Sequence, residues 1–117
     1  MTPIEDYTPE QIRDILTYSL LGLTYCQLEQ LVAITRFPQV AEFCKRILLN
    51  RQSIYTPIPE NLVDNCFECF KELDNIDIQN APIPENVKNI CIERQDLLIT
   101  IGKQIVKDFL KEKNILQ

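Results

Sequence analysis

The sequence feature that most constrains the fold is a broad apolar stripe in residues 84–113. Placed at about 100° per residue, Leu98, Ile101, Ile105 and Phe109 fall on one line of a helix. Three more apolar residues flank that line: Ile99, Val106 and Leu110. About half of the circumference is then apolar, which is wider than the stripe of an ordinary surface helix. We therefore predict one long C-terminal helix over 84–113 that packs centrally, on two neighbours or on another chain.

The first third of the chain carries clear signals for helix starts. Thr8 and Gln11 have the spacing of a capping box, and Pro9 suits the first helical position. Thr24 opens a second helix that we expect to run to about residue 36. Pro38 starts a third helix, since the residue before a proline avoids the helical region.

The middle of the chain predicts one helix between two connectors. Residues 59–73 show helical apolar spacing, whereas 50–58 and 74–83 read as connectors. Residues 75–78 alternate like a strand, but four residues without a partner strand are marginal. The predicted fold is therefore all-α, a compact bundle of about five helices within a single domain covering residues 1–117.

A short repeat marks two of the helix starts. Residues 57–61, Pro-Ile-Pro-Glu-Asn, recur as residues 82–86. The two prolines hold the isoleucine extended, and the following Glu favours the positive end of a helix dipole. We interpret both copies as a helix-entry device whose isoleucines, Ile58 and Ile83, insert into the core.

The charge and the cysteine content predict a cytoplasmic protein. The net charge of -5 does not attract nucleic-acid phosphates, although residues 24–56 hold four basic against two acidic residues. Residues 1–6 lack the basic and apolar regions of a signal peptide, and no apolar run approaches the ~20 residues of a membrane span. Five cysteines, an odd number, read as reduced thiols.

Catalytic and metal sites are disfavoured by the residue types present. The chain has no histidine, so Ser-His and Cys-His pairs are excluded. Cys66 and Cys69 form a C-x2-C pair, but Cys44, Cys66 and Cys91 occupy apolar helix positions typical of core packing. We predict a non-enzymatic protein without a cofactor or metal, and whether Cys66 and Cys69 ever bind metal or act in redox chemistry stays open.

The one locally basic segment resembles a helix-turn-helix unit over residues 24–49. The resemblance implies DNA contacts from the turn and the third helix, made by Arg36, Gln39, Lys45 and Arg46. Three features depart from the motif. Pro38 stands at the start of the recognition helix, Val40 falls one residue late, and Glu42 would repel phosphates.

A row of lysines on the last helix suggests a second binding surface. Lys103, Lys107 and Lys111 recur every four residues along its polar face, where a protein partner could bind. Our preferred interpretation is a small protein-protein interaction or regulatory module that binds another protein or its own copy. The alternative is a helix-turn-helix DNA-binding regulator.

Overall fold

The computed structural model describes residues 7–117, which form seven α-helices and no strand. The helices are α1 (Pro9–Leu21), α2 (Tyr25–Ile34), α3 (Pro38–Arg51), α4 (Glu60–Glu68), α5 (Asn75–Asn80), α6 (Glu85–Glu93) and α7 (Gln95–Glu112). A 3-10 helix, Cys69–Glu72, continues α4. The all-α class is confirmed, with seven helices rather than about five. The prediction that residues 1–6 hold no signal peptide lies outside the described residues.

The predicted starts of the first three helices are confirmed. The Thr8 side chain accepts from the Gln11 amide at 3.2 Å, and the Gln11 side chain accepts from the Thr8 amide at 2.8 Å. Thr24 forms the same capping box with Gln27. The third helix begins at Pro38 as expected. These local bonds satisfy amides that would otherwise lack partners at a helix start.

The prediction of one helix over 84–113 is wrong, because the helix is interrupted at Arg94. Its backbone lies at φ -135° and ψ 54°, outside the helical region, so α6 ends there and α7 begins. Neither proline nor glycine stands at the break, and a tertiary contact lies beside it. The side chain of Gln95 donates to the carbonyl of Phe70, which ties the start of α7 to the 3-10 helix. The two helices can then pack against different neighbours.

The connector predicted over 74–83 contains a short helix instead. The Asp77 amide donates to the Asp74 side chain at 2.8 Å, and the Asp77 side chain accepts from the Asp74 amide at 3.4 Å. This capping box outweighs the strand-like alternation of residues 75–78. The helix places Ile78 in the core, where it is buried.

Helix α7 carries the largest part of the core. It packs against α1, α4 and α6, and Gly102 lies directly beneath the ring of Phe67 from α4. The predicted centre of its apolar stripe is shifted, because Ile105 is buried but Ile101 is only half-buried. The buried residues of α7 are Leu98, Ile99, Gly102, Ile105, Val106 and Leu110.

The repeated helix-entry device is used in both places. Helices α4 and α6 begin directly after Pro59 and Pro84. Ile58 is fully buried, whereas Ile83 packs against the core in a half-buried position. The first copy has a further role, since the Ile58 amide donates to the Ile115 carbonyl at 2.8 Å. This bond anchors the C-terminal residues beside the start of α4.

Helices α2 and α3 stand apart from this arrangement. Helix α2 packs chiefly on α3, and α3 in turn packs on α4. We call residues 25–51 the hairpin, and α1, α4, α6 and α7 the bundle. Across residues 7–117, no helix combines the length and apolar character needed to cross a membrane.

Candidate functional site

The four residues predicted to contact DNA lie on the hairpin but do not form one free surface. The guanidinium of Arg36 contacts the Asp77 carboxylate at 2.8 Å and donates to the Glu72 carbonyl at 2.9 Å. This cation beside Asp77 holds the pKa of that carboxyl below its ordinary value. Arg36 therefore ties the turn between α2 and α3 to the region around α5.

The remaining three predicted DNA contacts are divided between paired and open side chains. Arg46 pairs with Glu42 at 2.8 Å and also donates to the Pro57 carbonyl, so it holds α3 to the chain that precedes α4. Gln39 and Lys45 are exposed. The predicted helix pair forms, but two of its four polar residues make intramolecular bonds.

The lysine row on α7 faces α4 rather than solvent for most of its length. Lys107 pairs with Asp64 at 2.6 Å and with Glu60 at 3.3 Å, and Lys103 pairs with Glu68. Lys103, followed by Lys71, lowers the pKa of Glu68 to about 2.

These contacts also act on the lysines, and they leave one end of the row open. The bond to Asp64, followed by that to Glu60, raises the pKa of Lys107. Lys111, one helical turn farther along, is exposed. Matching i, i+4 spacings of acidic residues on α4 and lysines on α7 could have predicted this row of ion pairs.

The cysteines divide into one exposed and four buried thiols. Cys26 is exposed, and burial raises the pKa of Cys44 and of Cys91 to about 11. Burial, with neighbouring Cys44 and Cys69, also raises the pKa of the Cys66 thiol. Such thiols stay protonated at neutral pH, so they are poor nucleophiles. Within residues 7–117, no group of three cysteine or acidic side chains has the geometry to hold a metal ion.

Two apolar grooves flank the hairpin, and we call the first the neutral groove. It encloses about 400 Å³ between the end of α2, the start of α3, the 3-10 helix and α5. The charged residues that line it, Arg36 and Asp77, bind each other. Its apolar lining is contributed mainly by Leu31, Ile34, Phe37, Val40, Phe70 and Leu73.

We call the second the cationic groove, because the charged residues that line it are Arg51 and Lys113. It also encloses about 400 Å³, on the other side of the hairpin, between α2, α3 and the C-terminal ends of α1 and α7. Neither groove was predicted from the sequence. Their walls are formed by helices that are distant in the sequence. A local sequence pattern does not predict the distance between such helices.

Comparisons of the chain with protein-family models, with curated proteins and with solved structures gave no match.

Proposed function

We propose that the protein is a non-enzymatic interaction module of the cytoplasm that binds an apolar segment of another protein in the neutral groove. One observation carries the proposal: the groove is an open apolar cleft, and Ile34 at its edge is 60% exposed. Large apolar side chains left in water beside an apolar cleft are typical of a surface that a partner covers. Covering Ile34 and the cleft would remove that surface from water.

The chemistry of the groove indicates what kind of segment would fit. Because Arg36 and Asp77 neutralise each other, the cleft offers no unpaired charge along its lining to an incoming ion. A helix or extended segment with two or three apolar side chains would gain from burial, as in other helix-in-groove complexes. Burial raises the pKa of the Cys66 and Cys69 thiols in the lining, which argues against nucleophilic chemistry in this groove.

A pair of matched variants tests the proposal. Ile34→Glu places a charge at the groove, while Ile54→Glu places the same charge at a residue of similar exposure in the loop after α3. Both side chains are more than half exposed, so neither change should unfold the protein. Affinity capture from the source cell, quantified by mass spectrometry, should recover a partner with the wild type and with Ile54→Glu but not with Ile34→Glu.

The captured partner must then bind directly. Titration of the purified partner should reproduce the loss with Ile34→Glu alone. Sedimentation of the protein by itself would reveal whether the partner is a second copy. A partner that binds both variants equally would contradict the assignment of this groove.

The alternative, a DNA-binding regulator, is favoured by one observation. Helices α2 and α3 form the helix pair expected for residues 24–49, and α3 leaves Gln39 and Lys45 exposed. Fluorescence anisotropy with random-sequence duplex at low salt tests it, because phosphate contacts weaken steeply as salt rises. Binding that falls with salt and with Lys45→Gln would support this alternative. Absence of binding at tens of micromolar protein would remove it.

A further inference from the structure

The cationic groove is a cleft between four helices. Its walls come from α1, α2, α3 and α7, and Ile115 of the C-terminal segment also lines it. The volume of about 400 Å³ lies within the range of ordinary ligand pockets. Leu28, Phe43 and Phe109 contribute to an apolar interior that would accept a hydrocarbon chain.

Both charges of this groove are positive, although the chain as a whole carries -5. Neither Arg51 nor Lys113 forms an ion pair within residues 7–117. Each instead lies over an aromatic ring. Arg51 is 5.5 Å from the ring centre of Tyr25, and Lys113 is 5.7 Å from that of Phe109. An anion at the groove would therefore not have to displace a carboxylate.

The remaining polar group in the lining does not compete for a ligand. The Asn50 amide nitrogen donates to the carbonyls of Arg46 and Thr56, and its oxygen accepts from the Thr56 amide. These bonds hold the end of α3 to the loop that follows. The polar headgroup of a bound ligand would therefore contact the two cations. This favours an anionic headgroup over a neutral one.

We propose that the cationic groove binds an amphipathic small molecule with a hydrocarbon chain and a single carboxylate, of the fatty-acid class. The chain lies among Leu28, Phe43 and Phe109, where its burial drives binding. The carboxylate pairs with the cations that line the groove, Arg51 and Lys113. This site is separate from the neutral groove, so the proposal does not depend on the proposed function.

The probe is decanoate, titrated calorimetrically below its micelle concentration, with decylammonium as the ligand of equal chain length and opposite charge. We expect one decanoate per protein and at least roughly tenfold weaker binding of decylammonium, which corresponds to about 1.4 kcal/mol. Arg51→Gln with Lys113→Gln should weaken decanoate binding by about three- to tenfold, as expected for ion pairs near the surface.

A matched control uses Arg13→Gln with Lys111→Gln, the same two residue types at exposed positions outside the groove. This variant should bind decanoate like the wild type. Equal affinities for decanoate and decylammonium, or equal affinities of the two double variants for decanoate, would overturn the proposal. So would a lack of one-to-one binding up to millimolar decanoate, even if anionic phospholipid vesicles or an acidic peptide bound.

Discussion

The hairpin and the bundle differ sharply in how much of each helix is buried. Helix α7 alone buries six residues, whereas α2 buries Leu28 and α3 buries Cys44. Neither of these two belongs to the main buried cluster, which draws on the bundle, α5, Ile58 and Ile115. The hairpin reaches that cluster through half-buried side chains such as Phe43 and Ile47. The hairpin is therefore attached to the cluster through partly buried side chains, and the two grooves lie on either side of it.

This difference in burial indicates that the bundle is the scaffold and that the hairpin is suited to binding. Segments with few buried apolar contacts open at lower free energy than the core, and binding surfaces are often drawn from them. We expect the bundle to set the global stability. The hairpin should open first and respond to whatever fills its grooves.

The largest expected effect comes from truncating matched leucines. Leu98→Ala, at a fully buried position of α7 that lines neither groove, should lower the free energy of unfolding by about 2–5 kcal/mol, as buried large-to-small changes do. Leu28→Ala in the hairpin should lower it by less, about 2 kcal/mol at the lower end of that range, because the open groove beside it lets the site relax. Urea unfolding measures both. Equal losses would mean that the hairpin is as tightly packed as the bundle.

A smaller loss is expected when a methyl group is added inside the bundle. A Cβ at position 102 would lie 2.6 Å from Cε1 of Phe67, a ring that is itself buried. Gly102→Ala should therefore lower the free energy of unfolding by about 1–3 kcal/mol. Phe67→Leu in the same protein should recover part of that loss, since the clash disappears with the ring. If the two losses simply add, the contact between Gly102 and Phe67 does not carry the effect.

The ion pairs between α4 and α7 predict a specific pH dependence in the bundle. The folded protein holds the pKa of Glu68 at about 2, below its ordinary value of 4.5. The carboxylate therefore stabilises the fold above about pH 4.5, and this contribution is lost as the pH falls towards 2. Melting curves from pH 6 to pH 2 should show a smaller decrease for Glu68→Gln than for the wild type. Glu112→Gln, outside this row of pairs, should follow the wild type.

The smallest effect on global stability is expected at the contact that ties the hairpin to α5. Arg36→Gln removes the exposed pair with Asp77, and such pairs contribute little to overall stability. It should nevertheless speed labelling of Cys44 in the native protein, because the turn between α2 and α3 loses a contact to the rest of the molecule. Arg13→Gln should leave the labelling rate unchanged. A large loss of global stability with Arg36→Gln would contradict the peripheral role of the hairpin.

Much of the fold could be predicted because its signals are local. Thr8, Thr24 and Pro38 each mark a helix start by chemistry within four residues, and the structure has all three. The short helix α5 was missed although Asp74 and Asp77 have capping-box spacing. Residues 74–83 are predicted above as a connector, whereas the structure starts α5 at this capping box.

The remaining features depend on contacts between distant residues. The break at Arg94 involves neither proline nor glycine, and the neighbouring Gln95 side chain bonds to Phe70, 25 residues away in sequence. The ion pair between Lys103 and Glu68 joins residues that are 35 positions apart in the sequence. The sequence predicts a DNA contact for Arg36 because this residue lies in the turn of a basic segment. Its partner in space is Asp77, which the sequence does not reveal.

Native-state thiol labelling tests the separation of hairpin from bundle most directly. Cys44 in α3 and Cys91 in α6 are matched probes, since both are buried and burial raises the pKa of each to about 11. Labelling under increasing urea, resolved by mass spectrometry, gives the free energy of the opening that exposes each thiol. We predict that Cys44 opens at lower free energy and with weaker urea dependence than Cys91, which should follow global unfolding. Identical opening free energies for both, equal to that of global unfolding, would contradict the account.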